Sequence, residues 1–437
     1  MMELWNEILE NYSYIIPIVS VIICFAIRVP ISITMLISST VYMIAMDMDL
    51  ASVMTRFIVM LKDNFVIIAV PLFIFTANVL NSSKVSDYIF DFAKAVIGKR
   101  RGALAYVNVL ISLIFAGMSG SAVADATGIG KIEIEAQRKD GYPDDFSAAI
   151  SACTAVIGPT FPPSLNLVTF SMITGASCGA LLLGGVIPAI LMCAAIMLYV
   201  ALIAKKRNFA PGIHYTAREF LHFTIRALPA LMTPVILLVC IYTGIVTATE
   251  ASAISACYAI IVAAFFYRTI NLKGVWTCFK DTAIQCGPIM LIIAASGPFN
   301  HCVTVSGLGD IILDMFSNIT TNPYIFLAIV NILFLVLGMF LDTSTITWVI
   351  LPLIYPVAGA LGINMVHFGL IFTINTLIGM CTPPFGLLVF LSAQLADAPV
   401  KKVFKEALPM VGMLLIVLVL VTYIPGLTLW LSSSVLG

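Results

Sequence analysis

The chain has 437 residues, of which 61% are hydrophobic and only 10% are charged. A soluble globular domain carries about 25% charged residues, so this composition excludes an ordinary soluble protein and indicates that lipid is the solvent. The 22 basic residues balance the 22 acidic ones, and this zero net charge gives no indication of a nucleic-acid partner. The fold class is therefore predicted as an all-α polytopic membrane protein in contact with the bilayer.

Apolar segments near the ~20 residues needed to cross a bilayer recur along the whole chain. The first half is predicted to cross at 13–27, 30–46, 64–82, 146–172 and 179–204. The second half is predicted to cross at 227–246, 250–267, 283–300, 365–395 and 407–430. We expect 1–205 and 227–437 to be two units, joined by a cytoplasmic connector at 206–226.

Short motifs recur at one fixed distance, which indicates that the two halves are duplicated. Gly117-Met118 matches Gly338-Met339, and Pro162-Pro163 matches Pro383-Pro384, each pair being 221 positions apart. Five crossings per half is an odd number, so the second half must begin on the opposite side of the membrane. The halves are therefore predicted to be inverted-topology repeats.

Basic residues stay on the cytoplasmic side, and they indicate how two further segments enter the membrane. Basic residues at 99–101 and 138–139 flank the segment 102–138, which is predicted to be a re-entrant helical hairpin open to the cytoplasm. No Lys or Arg occurs within 281–400, so the matching hairpin 323–362 is predicted to enter from outside. Each hairpin precedes a Pro-Pro span, predicted as a broken helix at 146–172 and 365–395.

The polar residues at the hairpin turns and the helix breaks are the candidates for a binding site. Proline inside a span leaves backbone carbonyls without helical partners, which lipid tolerates only where they line protein or water. Freed carbonyls and neighbouring hydroxyls are hard oxygen ligands that suit sodium. Asp125 and Asp342 place one carboxylate in each turn, with no Lys or Arg near in sequence, so a bound cation is the expected partner.

Several other polar residues have structural explanations. Glu250 opens a span after Thr247 and is interpreted as a helix cap. His301 and His367 are expected at the membrane interface and receive no role. A proline can also be a simple kink, and a single hydroxyl often bonds its own helix.

Long motifs in both halves resemble the large membrane subunit of tripartite ATP-independent periplasmic (TRAP) transporters, the DctM-like family. They include GMSGSAVADATGIG, IGPTFPPSLNLV, TATEASAISACYA, HFGLIFTINTLIGMCTPPFGLLVF and LPMVGMLLIVLVLVTYIPGL. The resemblance covers nearly the whole chain. It implies an ion-transporter-superfamily elevator fold and a location in the bacterial inner membrane. It also implies that sodium ions drive the transport. It also implies a small four-helix membrane subunit and a periplasmic substrate-binding protein that delivers an organic acid.

The resemblance further implies where substrate and ions bind. Substrate would contact hydroxyl and amide side chains of the turns and breaks, namely Ser119, Ser121, Ser164, Asn166, Ser344 and Thr345. Sodium would be held by side chains and backbone carbonyls of the same segments, namely Ser119, Gly120, Asp125, Gly158, Pro162, Gly338, Asp342, Thr343, Thr382 and Pro383. The stretch 121–130 is more similar to the sialic acid members than to the dicarboxylate members.

Three functions are compatible with these observations. The first is sodium-coupled uptake of an organic acid through a tripartite system, for sialic acid or alternatively a C4-dicarboxylate. The second is a stand-alone divalent-anion/sodium symporter that needs no binding protein. The third, an intramembrane hydrolase using Ser119, would need a histidine base in the core, whereas the four histidines lie near predicted span ends or in the connector. We therefore expect no enzyme activity.

Overall fold

The computed structural model describes residues 13–83 and 85–436, apart from the side chains of 116–119 and 436. This part of the chain is helical throughout, and its one strand-like pairing is an isolated bridge between Arg101 and Pro211. Eight of its helices are long and apolar enough to cross a membrane, and five shorter helices are also apolar. These features confirm the prediction of an all-α polytopic fold.

The first half contains twelve α-helices and two short 3-10 helices, at Phe65–Ile68 and Gly158–Thr160. The α-helices are α1 (Ile15–Ala26), α2 (Ile31–Ala45), α3 (Ala51–Lys62), α4 (Ala69–Ser82), α5 (Val85–Ile97), α6 (Ala103–Ser119), α7 (Ala122–Thr127), α8 (Ile129–Lys139), α9 (Asp144–Thr154), α10 (Leu165–Thr174), α11 (Cys178–Gly184) and α12 (Val186–Lys206).

The second half contains eleven α-helices and two π-helical segments, at Val262–Phe266 and Ile346–Ile350. The α-helices are α13 (Ala217–Tyr242), α14 (Ala248–Ile261), α15 (Leu272–Val305), α16 (Leu308–Ile319), α17 (Pro323–Phe340), α18 (Thr343–Thr345), α19 (Leu351–Ala360), α20 (Met365–Gly379), α21 (Leu387–Leu395), α22 (Val400–Tyr423) and α23 (Gly426–Leu436).

The helices pack as two groups. The first group, α1 to α4 with α13 to α15, is hereafter the outer group; α15 packs along α2, α3 and α4, and α14 packs on α4 and α13. The second, hereafter the site group, holds both hairpins, both broken helices, α11, α12, α22 and α23. The amphipathic helices α5 and α16 connect them: α5 contacts α13 and α6, and α16 contacts α15 and α19.

Two parts of the outer group differ from the sequence-based expectation. The span predicted at 283–300 is the middle of the 34-residue helix α15, which at 1.5 Å per residue is about 50 Å long. The unpredicted helix α3, which carries Arg56 and Lys62, lies against it. Gly297 of α15 permits this contact, since a Cβ atom there would lie 2.6 Å from the carbonyl oxygen of Arg56.

Two residues outside the hairpins have clear structural explanations. Thr247 and Glu250 form a reciprocal capping box at the start of α14, which confirms the helix-cap interpretation of Glu250. His367, predicted at the membrane interface, lies in the first turn of α20. Its ring is buried, with Nδ1 2.8 Å from the Thr428 hydroxyl and Nε2 3.2 Å from the Thr422 carbonyl oxygen. These contacts fasten α20 to the last two helices.

Candidate ion and substrate site

The first hairpin turn sits directly on the first helix break. Helix α6 ends at Ser119, and Gly120 follows in the left-handed region with φ of +61°. A Cβ atom at Gly120 would lie 2.8 Å from the carbonyl oxygen of Pro163 and 3.2 Å from the amide nitrogen of Leu165. Only glycine fits both this φ and this close approach of two backbones. The turn and the break are therefore one structural unit.

The first break is a non-helical backbone segment between α9 and α10. It contains the 3-10 turn at Gly158–Thr160 and a cis peptide bond between Pro162 and Pro163. Ser164 is buried and caps α10, because its hydroxyl oxygen accepts from the Leu167 amide at 3.2 Å. The same hydroxyl donates to the Pro159 carbonyl. Ser164 thus fixes the geometry of the break through the backbone on both sides.

Asp125 lies on the short helix α7, immediately after the first turn. Ser121 caps this helix by accepting from the Ala124 amide at 3.4 Å. Asp125 is buried and lines a cavity of about 220 Å³. Asn81 of α4 and Ser86 of α5 also line this cavity. The carboxyl group therefore lies where the first hairpin faces the outer group.

The second turn is organised around the carboxylate of Asp342. This carboxylate accepts from the Ser344 amide at 3.0 Å, from the Thr345 amide at 3.3 Å and from the Thr345 hydroxyl. It therefore caps the helical segment that begins at Thr343. Asp342 is half-buried, less enclosed than Asp125. Its local hydrogen bonds fix the start of the helical segment at this turn.

The second hairpin packs on the second break, as the first hairpin packs on the first. Gly338 of α17 crosses Gly379 of α20 so closely that a Cβ atom on Gly379 would lie 2.6 Å from the Gly338 Cα atom. The Thr343 hydroxyl lies 3.3 Å from the sulfur of Met380. The rings of Phe340 and Phe385 are 5.5 Å apart. Gly338 thus has a packing function whether or not its carbonyl binds an ion.

The remaining predicted site residues differ in exposure. The Thr382 hydroxyl bonds back to the Ile378 carbonyl at 2.8 Å, and Gly158 and Pro162 are buried in the first break. Asn166 and Pro383 are half-buried, and Ser344 is exposed. The side chain of Ser119 lies outside the described part of the chain. The structure brings each turn to its own break, and the assignment of individual ligands stays a prediction.

Sequence reasoning missed the residues that face the hairpins from the outer group. A second cavity, of about 320 Å³, lies beside the second hairpin between α15, α16 and α19. Asn300, Thr304 and Asp310 line it with Tyr355, and the Asn300 side-chain oxygen is buried without a hydrogen-bond partner among the described residues. The two cavities occupy corresponding places beside the two hairpins. The sequence did contain a signal for these cavities, because Asn81 and Asn300 are polar residues within apolar helices.

The sequence matches the profile of a known protein family, and this match identifies the class of the protein. The sequence profile of the family described as tripartite ATP-independent periplasmic transporter, DctM component, matches residues 18–427. The chain belongs to this DctM family. It is therefore a component of a transporter and not an enzyme, and it is a multi-pass inner-membrane protein.

Relatives of named function support the same class. The chain is 37% identical over 375 residues to the sialic acid TRAP transporter large permease protein SiaM of Vibrio cholerae, covering 86% of this chain and 88% of that protein. It is 33% identical to the C4-dicarboxylate TRAP transporter large permease protein DctM of Pseudomonas aeruginosa, covering 85% and 88%. This DctM-family chain is thus a TRAP large permease subunit, a class that works with a small permease subunit and a periplasmic binding protein.

A solved structure shares the fold of this DctM-family chain. The crystal structure of the Alcanivorax borkumensis YdaH transporter, described as having an unusual topology, aligns with a TM-score of 0.61 over 86% of this chain and 90% of that one. The two sequences are 12% identical, so the likeness concerns the fold alone. It agrees with the predicted elevator-type architecture of hairpins and broken helices.

Proposed function

We propose that this TRAP large permease subunit carries out sodium-coupled uptake of an organic acid. The observation that carries the proposal is the first hairpin turn, where the Gly120 backbone lies on the Pro163 carbonyl and the buried Asp125 follows within the same short segment. Backbone carbonyls, hydroxyls and one carboxylate gathered at an irregular segment make a hard-oxygen environment suited to sodium. The second turn also carries one carboxylate, that of the half-buried Asp342.

Sialic acid is the proposed substrate, with a C4-dicarboxylate as the second candidate. The SiaM relative is 37% identical and the DctM relative 33%, which favours sialic acid. No Lys or Arg lies within 281–400, so the substrate carboxylate would be met by sodium, hydroxyls and helix N-termini. Ser164 and Asn166, at the start of α10, are the residues proposed to contact it.

The proposed movement is that of an elevator, in which the site group carries substrate across the membrane past the outer group. Both cavities lie along the boundary between these groups. The long helix α15 packs mainly within the outer group, whereas the broken helices pack on each other: the Cys381 thiol lies 3.2 Å from the Ala152 carbonyl oxygen. Each group is therefore joined by contacts among its own helices, and one hydrophobic core continues across both groups.

The substrate assignment is tested by uptake into proteoliposomes that hold this chain and its small subunit, with the cognate binding protein outside. Labelled N-acetylneuraminate is offered with and without an excess of unlabelled C4-dicarboxylate. We expect uptake of the label and no competition. Competition by the dicarboxylate, together with uptake of labelled dicarboxylate, would move the substrate to the second candidate.

A further inference from the structure

A buried polar interface lies along the second arm of the first hairpin, away from both turns. Glu133 and Gln137 are one turn apart on α8, and Ser147 and Ser151 are one turn apart on α9. All four side chains are between 0% and 2% exposed. The helices approach closely here, since a Cβ atom at Gly130 would lie 3.7 Å from the Ser151 Cβ atom.

The side-chain amide donors at this interface are already engaged. The Gln137 side-chain amide donates to the Leu104 carbonyl at 3.3 Å. The Asn108 amide donates to the Ser151 hydroxyl at 2.8 Å, and Asn108 accepts in turn from the Thr154 hydroxyl at 2.7 Å. Three oxygens remain without a hydrogen-bond partner among the described residues, namely Glu133 Oε1, Gln137 Oε1 and Ser147 Oγ. Buried oxygens of this kind are rare, and several at one interface indicate a missing partner.

An ionised Glu133 would have no cationic partner in the part of the chain that the structure describes. Glu133 takes no part in either of the two ion pairs that the described residues form, Arg138 with Asp144 and Arg207 with Glu406. Its polar neighbours are the Ser151 hydroxyl and the carboxyl group of Asp125, which adds repulsion. A carboxylate buried without a cationic partner is strongly unfavourable, so an external positive charge would relieve it.

We propose that Glu133, Gln137, Ser147 and Ser151 form a binding site for one sodium ion, separate from the residues at the two turns. Carboxylate, amide and hydroxyl oxygens are the ligands that hard cations prefer, and one carboxylate balances one monovalent charge. The proposal rests on the sodium coupling proposed above and adds an ion to it. An ion here would fasten α8 to α9 and so make the position of the hairpin arm depend on sodium.

The test is direct binding of radioactive sodium to the purified full-length chain, with potassium keeping the ionic strength constant. Glu133→Gln keeps the size of the side chain and removes its charge. We expect this variant to bind about one ion fewer per chain at saturation. Glu135→Gln is the matched control, because Glu135 is exposed on the same helix. It should bind as many ions as the unmodified chain.

A second variant keeps the test decisive if Glu133→Gln does not fold. Ser147→Ala removes one proposed ligand and leaves the carboxyl group, so the half-saturating sodium concentration of this site should rise at least tenfold. Unchanged ion number and affinity in the folded variants would overturn the site and indicate a Glu133 held neutral by a proton. Absence of sodium binding by the unmodified chain would instead contradict the proposed sodium coupling itself.

Discussion

The two turn carboxylates are surrounded differently, although the sequence places one in each hairpin turn. Asp125 is buried beside a cavity, whereas Asp342 is half-buried and accepts three local hydrogen bonds as a helix cap. Asparagine is also a good capping residue, so Asp342→Asn should keep the turn folded. The sequence indicated which carboxylates matter, but the hydrogen bonds that distinguish them depend on backbone conformation that no spacing reveals.

Replacing either turn carboxylate with a neutral amide should weaken sodium binding and leave the fold intact. For Asp125→Asn and Asp342→Asn we expect the sodium concentration that gives half-maximal uptake to rise at least tenfold, because a carboxylate partner of the ion is lost. Sodium titration of uptake at equal protein level measures this. Asp140→Asn, on an exposed residue, is the control. Normal titrations in both turn variants would remove these carboxylates from the proposed ion site.

The contact between the first turn and the first break makes a second prediction at this scale. Gly120→Ala would place a Cβ atom 2.8 Å from the Pro163 carbonyl oxygen, so the turn must shift and uptake should fall at least tenfold. Gly141→Ala is the matched control. Gly141 also has a positive φ, of +80°, but a Cβ atom there would meet nothing within 4 Å. The control bears only the cost of a non-glycine residue in the left-handed region, about 1–2 kcal/mol. Equal uptake by the two variants would contradict the close contact.

At the scale of elements, the sequence predicted the hairpins and breaks better than the outer helices. Pro162-Pro163 and Pro383-Pro384 both interrupt helices, because proline offers no amide proton to the helix and obstructs the preceding turn. Helix α15 extends well beyond its predicted span because its first turns include the charged residues Lys273, Lys280 and Asp281, which interrupt the apolar run. Hydropathy detects the part of a helix within lipid and misses polar extensions.

The orientation of the two hairpins is a separate prediction, based on basic residues alone. We expect a cysteine at position 140 to react only with a reagent on the cytoplasmic side, and one at position 322 only from outside. Both positions are exposed, and the exposed native Cys257 would first be replaced. The side from which each position is reachable is measured by labelling Asp140→Cys and Asn322→Cys with an impermeant maleimide, in intact cells and in opened cells. The reverse pattern would overturn the inverted arrangement of the repeats.

At the scale of the whole molecule, the duplicated sequence folds into two groups that do not coincide with its two halves. Each half contributes helices to the outer group and to the site group, and buried contacts such as that between Phe170 and Phe372 join the halves within the site group. The repeat offset revealed the duplication, but it could not show which helices exchange partners between halves. That grouping depends on packing between residues more than 200 positions apart.

Uptake by the reconstituted transporter tests the central claim most directly. Proteoliposomes holding this chain and its small subunit would be given labelled N-acetylneuraminate under an inward sodium gradient or a matched potassium gradient, each with and without the binding protein. We predict uptake only when the sodium gradient and the binding protein are both present. Uptake without the binding protein would instead indicate a stand-alone symporter, and equal uptake under the potassium gradient would contradict sodium coupling.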